Sequence, residues 1–206
     1  MPIYSLSNGA RRLNLLFVHV PKTGGTAIDH FFRRIGFSEH FGRENRAVRP
    51  VMICPPQHYD YNLLNRLIDL DTVDFSFAIV RHPLARIISD YKWAMTQSTM
   101  ADEKMSFGDW LDECFRSFEK DEYFLANHIK PQSKFIGPKI KRVFKYEEGL
   151  DHIISTVLSE TDVRLPGKVV LPKINTSSDV AVAVSEDDKA KIRDFYADDF
   201  ETYGYD

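Results

Sequence analysis

The sequence predicts an α/β fold, in which a central parallel sheet is covered by helices on both faces. Three short apolar segments have the composition of buried strands, and each is followed by a segment in which apolar residues recur at helical spacing. Strands that alternate with helices in this way are typical of parallel sheets. The chain has 206 residues, of which 43% are hydrophobic and 28% are charged. This size and composition suit one packed domain over residues 1–206.

The first strand and helix lie near the beginning of the chain. Residues 14–20, NLLFVHV, form an apolar run that ends at Pro21 and a glycine-rich turn, which indicates a buried strand followed by a loop. The next apolar residues recur at helical spacing up to Gly36, where a glycine suits the end of a helix. They are Ala27, Ile28, Phe31, Phe32 and Ile35.

The remaining elements follow from the same two patterns and from N-cap residues, since a serine that precedes an amphipathic segment favours a helix start. In chain order they are a helix over 61–70, a strand over 75–80, a helix over 84–95, a helix that begins after Ser106, a strand over 143–146, a helix that ends near Leu158 and a helix that begins after Ser185.

Charge and cysteine content exclude several classes of protein. The net charge of −3 gives no overall field that would gather nucleic acid, so any anion must be bound by local groups. The two cysteines, Cys54 and Cys114, are too few for a disulfide framework or a zinc cluster, which favours a reducing, cytoplasmic location. We expect no membrane anchor, because no apolar run approaches about 18 residues. We also expect no signal peptide, because VPKTGG follows the first apolar run where a small-residue cleavage site would stand.

The strongest local motif is VPKTGGT at residues 20–26, between the first strand and the first helix. Glycines let backbone amides approach an anion, and a helix N-terminus adds partial positive charge. Lys22 adds a full charge, and Thr23 and Thr26 add hydroxyl donors. The plainer alternative is an ordinary turn with two glycines. A Walker A loop does not fit, because its lysine follows the glycines whereas Lys22 precedes them.

A second candidate phosphate site follows the strand over 75–80. Arg81 stands at the end of that strand, where a parallel sheet presents residues to a ligand. Its guanidinium can hold a phosphate with two hydrogen bonds, and the hydroxyl of Ser89, eight residues later, can add a third. The alternative is an arginine that pairs with an acidic residue at the edge of the sheet.

Both motifs resemble those of sulfotransferases that use 3′-phosphoadenosine 5′-phosphosulfate (PAPS). FVHVPKTGGTAI is similar to the 5′-phosphosulfate loop of the carbohydrate-type and bacterial members, and the spacing from Arg81 to Ser89 matches the family's 3′-phosphate motif. CPPQHYDYNLL, ANHIKPQSKFIG and VFKYEEGLD also resemble family segments. LPKINTSS resembles a donor-side segment, although Lys173 stands where histidine is usual, so Asn175 and Ser177 receive no assigned role.

This resemblance implies a P-loop-like three-layer fold and in-line transfer of a sulfuryl group from PAPS to a hydroxyl, without a metal. The acceptor would be a small molecule or a saccharide, and carbohydrate-type members favour a sugar. The implied donor-binding residues are Lys22, Thr23, Gly24, Gly25, Thr26, Arg81 and Ser89.

An alcohol attacks sulfur efficiently only if a base takes its proton, and histidine suits that role near neutral pH. We expect His58, in PPQHYDY, to be this base, because family members carry a proposed base histidine in the corresponding segment. His128 is the rival. The polar residues Asn127, His128 and Gln132 also predict contacts with the acceptor, although a plain surface loop is the alternative.

Two other functions remain open at this point. A non-catalytic module that senses PAP, the desulfated product of PAPS, would keep both phosphate sites and need no base. An ATP-dependent, kinase-like phosphotransferase would need a magnesium-binding carboxylate near the loop, and no residue of the sequence stands out for that role.

Overall fold

The structure is a mixed five-stranded sheet with helices on both faces. The strands are β1 (Ile3–Asn8), β2 (Arg11–Val18), β3 (Ser38–His40), β4 (Phe75–Val80) and β5 (Arg142–Lys145). A computed structural model describes the chain in five stretches, which are residues 2–8, 11–42, 52–96, 105–172 and 181–206.

The sheet has the order β3-β1-β2-β4-β5, and β2, β4 and β5 run parallel. These three strands are the ones that the sequence predicts, so the α/β class is confirmed. Strand β1 pairs antiparallel with both β2 and β3 and adds an edge that the apolar pattern does not predict. Because the carboxyl ends of parallel strands meet at one edge, the turns after β2 and β4 lie side by side.

The described residues form seven α-helices. They are α1 (Gly25–Arg34), α2 (Tyr61–Leu67), α3 (Pro83–Thr96), α4 (Phe107–Lys120), α5 (Leu150–Glu160), α6 (Glu186–Phe195) and α7 (Ala197–Tyr203). Ser106 and Ser185 cap α4 and α6 by accepting hydrogen bonds from the backbone amides of Asp109 and Asp188. The helix predicted over 61–70 ends at Leu67, earlier than expected.

Alternating side chains of β2 are buried on both faces of the sheet. Leu15 and Phe17 pack in a cluster with α1 and α5, whereas Leu16 and Val18 pack in a second cluster that includes Leu64 of α2. A strand buried on both faces reads as a continuous apolar run, which is why it was recognisable in the sequence. A third cluster joins α3, α4, α6 and α7.

The remaining expectations concern the cysteines, a membrane anchor and the segment LPKINTSS. Cys54 and Cys114 are both free thiols and both buried. In the part of the chain that the structure describes, no helix is long and apolar enough to cross a membrane. Lys173, Asn175 and Ser177 lie outside the described residues.

Candidate functional site

The loop between β2 and α1 has the backbone of an anion-binding turn. Lys22 and Gly24 both have positive φ, 68° and 87°, which turns successive amides towards one side of the chain. Thr23 is fully buried, and its hydroxyl donates a 2.8 Å hydrogen bond to the carbonyl of Val20, so it holds the turn. Gly25 begins α1, and a Cβ there would lie only 1.9 Å from Nε2 of His19. Only glycine fits this contact.

The two phosphate motifs meet at one edge of the sheet. Arg81 follows β4, and its Nη1 donates a 3.2 Å hydrogen bond to the carbonyl oxygen of Lys22 in the turn after β2. The guanidinium also lies 4.5 Å from the ring centre of Tyr146, which follows β5. Ser89 is half-buried in α3, and Thr26 is half-buried in the first turn of α1.

Gln132 holds the backbone of Arg81 in place. Its amide oxygen accepts from the Arg81 N–H at 2.8 Å, and its amide nitrogen donates to the Arg81 carbonyl at 2.9 Å. Asp199, at the start of α7, is fully buried and accepts from the backbone amides of Gln132 and Ser133, both at 2.8 Å. Gln132 itself is fully buried, so its side chain is bound to the end of β4.

Three histidines from distant parts of the chain stack beside this edge. The ring centres of His19 and His58 are 5.0 Å apart, with the ring planes tilted by 30°, and those of His58 and His128 are 4.9 Å apart, with the planes at 14°. The ring of Trp93, in α3, also stacks on His128, with the ring centres 5.0 Å apart. The stack brings together the two histidines that the sequence offers as bases.

His58 is the more enclosed of these two histidines. Only 4% of it is exposed, and burial, together with the neighbouring His128 and His19, holds its pKa well below the usual value. Its Nε2 lies 2.7 Å from the side-chain amide nitrogen of Gln57. Because that nitrogen can only donate, Nε2 of His58 accepts the bond. Its Nδ1 is buried and makes no hydrogen bond with any described residue.

His128 makes a different contact, with a buried carboxylate. Its Nδ1 lies 2.7 Å from Oδ1 of Asp90 in α3, and 12% of its side chain is exposed. Burial of Asp90 raises the pKa of that carboxyl, but His128, Lys22 and Arg86 together oppose the burial and leave the pKa below its usual value.

Lys22 and His128 share one aromatic neighbour. The Nζ of Lys22 lies 5.3 Å from the ring centre of Trp93, a residue that is 39% exposed. Burial lowers the pKa of the Lys22 ammonium, the carboxylate of Asp90 opposes that shift, and the guanidinium of Arg81 adds to it. Two cations, two imidazoles and one carboxylate therefore converge here.

Buried polar residues next to the histidines make further contacts. The fully buried Asn127 donates a 2.8 Å hydrogen bond to the carbonyl of His58. Lys130 is buried and pairs with Asp60 at 2.5 Å. A cavity of about 450 Å³ adjoins this ion pair and is lined in part by Ser133. Among the described residues, no group of three or more His, Cys, Asp or Glu side chains is able to hold a metal ion.

Sequence reasoning missed several members of the site. Asp90 and Trp93 follow Ser89 in α3, and their three-residue spacing puts them on one face of that helix. This spacing is a signal that could have been found. His19 lies within an apolar run of the sequence, and its contacts with Gly25 and His58 depend on the fold.

Comparison with known proteins identifies the family of this chain. None of the curated proteins and none of the solved structures that were compared matches it. The sequence model of the sulfotransferase family matches residues 8–206, which include both phosphate motifs and all three stacked histidines. The chain therefore belongs to the sulfotransferase family.

Proposed function

We propose that the chain transfers a sulfuryl group from PAPS to a hydroxyl of an acceptor by in-line displacement. The observation that carries this proposal is the 3.2 Å hydrogen bond from Arg81 to the carbonyl of Lys22. It brings the loop suited to the 5′-phosphosulfate and the arginine suited to the 3′-phosphate to one edge of the sheet. PAPS carries anionic groups at both of these positions, whereas ATP has no 3′-phosphate.

Lys22 would contact the oxygen that joins phosphate to sulfate. Negative charge grows on that oxygen as the S–O bond breaks, so a cation there stabilises the transition state more than the ground state. The amides of Gly24 and Gly25 and the hydroxyl of Thr26 would bind the 5′-phosphate. Arg81 and Ser89 would bind the 3′-phosphate. No step in this scheme requires a metal.

The proton of the acceptor would pass to one of the stacked imidazoles, His58 or His128. A module that only senses PAP has no use for such a base, so the histidines favour an enzyme. Trp93 supports a sugar acceptor, because its exposed ring offers a flat apolar face beside Lys22. The acceptor is therefore proposed to be a saccharide or a similar small molecule with a hydroxyl group.

The test is sulfation by ³⁵S-labelled PAPS of a panel of methyl glycosides, oligosaccharides and 4-nitrophenol. We expect the wild type to label at least one acceptor and Lys22→Ala to lower kcat by about 10²–10³, by analogy with the loss of one preorganised donor. Lys189→Ala, which removes an exposed lysine of α6 that pairs with Glu186, is the control. Wild-type turnover by Lys22→Ala would contradict the assigned role.

A wild type that binds PAP but transfers sulfate neither to any acceptor nor to water would instead support the sensing module. Tighter binding of ATP than of PAP, with transfer of phosphate, would support the kinase-like alternative.

A further inference from the structure

Asp90 lies in the site, although it belongs neither to the phosphate motifs nor to the segment expected to bind the acceptor. It is only 2% exposed, and its Oδ1 lies 2.7 Å from Nδ1 of His128. Its Oδ2 is buried and accepts no hydrogen bond from any described residue. A buried carboxylate is costly unless a cation or a donor compensates it. The imidazole of His128 is the group placed to do so.

We propose that His128 is the general base of the sulfuryl transfer and that Asp90 is its positioning residue; this inference rests on the proposed function. An ionised carboxylate only accepts hydrogen bonds, so Nδ1 of His128 carries a proton and donates it to Asp90. The lone pair of the imidazole is then on Nε2, which is the atom that takes the acceptor's proton. The same division of roles between a carboxylate and a histidine operates in serine hydrolases.

The proposed step balances as follows. The O–H bond of the acceptor breaks, its proton goes to Nε2 of His128, and its oxygen forms a bond to sulfur. The S–O bond to the 5′-phosphate breaks, and its electron pair stays on the phosphate oxygen beside Lys22. The imidazolium that forms faces the carboxylate of Asp90, which stabilises it. Trp93 contacts both Lys22 and His128, so the base and the cation lie next to the same aromatic ring.

His58 is less suited to this step. Its Nε2 already accepts a hydrogen bond from Gln57, and its Nδ1 is buried. The charged or titratable groups around His128 are Asp90 from α3, His58 from the turn at Pro56–His58 and Lys22 from the phosphate loop, while Arg86 donates to the carbonyl of His128. A neutral His58 packed against His128 adds no charge that would oppose the imidazolium.

The first test needs no acceptor. Long-range ¹H–¹⁵N spectra of the ¹⁵N-labelled wild type, saturated with PAP, report which imidazole nitrogen carries the proton, and His128→Gln assigns the signal. We expect the proton on Nδ1 of His128. A proton on Nε2 would overturn the proposal, because that nitrogen would then have no lone pair to accept another.

The second test is the pH dependence of kcat with PAPS and an acceptor found in the panel described above. We expect His128→Ala to lower kcat by about 10²–10⁴ and to remove the acidic limb of the profile, where kcat falls as the pH falls. Asp90→Asn should lower the plateau value of kcat about tenfold or more. It should also move the acidic limb to lower pH, because the lost carboxylate no longer favours the imidazolium. Asp188→Asn, the matched control, also removes a buried carboxylate, at the start of α6, but should leave the limb in place.

His58→Ala separates this proposal from the base expected from sequence. Retention of the acidic limb in His58→Ala supports His128. Loss of the limb in His58→Ala together with its retention in His128→Ala would overturn the proposal, as would an unmoved limb in Asp90→Asn. We expect each variant to keep the PAP affinity and melting temperature of a folded protein, so that a change in its pH profile is not caused by unfolding. A wild type with no turnover on any acceptor would be a failure of the proposed function, and the position of the proton on His128 can be measured even then.

Discussion

Arg81 is held by different neighbours through its side chain and its backbone. The guanidinium donates to the carbonyl of Lys22 and lies against Tyr146, while Gln132 binds both backbone groups. A guanidinium has five N–H donors, and the hydrogen bonds among the described residues use one of them. The remaining donors are available to a phosphate, in an orientation that the neighbours already fix. Such preorganisation lowers the entropic cost of binding.

Replacement of Arg81 should therefore remove selectivity for the 3′-phosphate. In calorimetry, we expect the wild type to bind PAP far more tightly than 5′-AMP, which lacks that phosphate. Arg81→Ala should abolish most of this difference, which we expect to be about 2–5 kcal/mol, the usual cost of truncating one partner of a buried charged pair. Arg116→Ala, which removes an exposed arginine paired with Glu113, is the control. Equal affinities of PAP and 5′-AMP for the wild type would refute this assignment.

Residues next to strand ends were predictable, because local sequence marks them. Lys22 follows an apolar run and precedes two glycines, and Arg81 ends another apolar run. The stack of His19, His58 and His128 was not predictable, since these residues are 39 and 70 positions apart along the chain. Their rings meet only in the folded chain, where the turn at Pro56–His58 places His58 next to both of the others.

At the scale of elements, α7 and the turn at Gln132–Phe135 act as a brace for the end of β4. Asp199 of α7 accepts two backbone hydrogen bonds from that turn, and the turn binds Arg81 through Gln132. The position of Arg81, which is proposed to bind the donor, thus depends on a helix more than 110 residues later in the chain.

Gln132→Ala should consequently weaken the binding of PAP, although Gln132 was expected to contact the acceptor. The change leaves the partly buried backbone N–H and C=O of Arg81 without their partner, which costs up to about 1–3 kcal/mol for an unsatisfied group. We expect part of this cost to appear as a higher Kd for PAP in calorimetry. Ser133→Ala, which keeps the backbone bond to Asp199, is the matched control. An effect confined to the acceptor's KM would instead favour the role expected from sequence.

The elements themselves differ in how well local pattern predicts them. The parallel strands β2 and β4 are buried on both faces and read as continuous apolar runs. Strand β1 mixes polar and apolar residues (IYSLSN), and β3 has only three residues, so neither is distinct from a loop. Their pairing is decided by long-range contacts, which a local reading of the sequence does not contain.

At the scale of the whole molecule, the buried His58 couples stability to pH. Its pKa in the folded protein lies well below the value of about 6.5 expected for the unfolded chain. As the pH falls below about 6.5, the unfolded chain takes up a proton that the folded protein does not. Stability is therefore lost as the pH falls, at up to about 1.4 kcal/mol per pH unit, until the folded pKa is reached.

The variant His58→Gln should lose less folding stability as the pH falls. We expect the free energy of urea unfolding to fall less steeply between about pH 6.5 and pH 5 in His58→Gln than in the wild type. The exposed His152 serves as a control, because His152→Gln should leave the slope unchanged. Parallel slopes for the wild type and His58→Gln would show that His58 is not the group responsible.

At Lys22, thermal stability and turnover favour different residues. A non-glycine residue at a φ of 68° is strained by about 1–3 kcal/mol, and glycine would relieve that strain. Glycine would also remove the ammonium group on which transfer is proposed to depend. Directed evolution under selection for thermostability alone should therefore enrich Lys22→Gly and yield robust but inactive proteins. A library screened for both properties should retain lysine here and gain its stability at other positions.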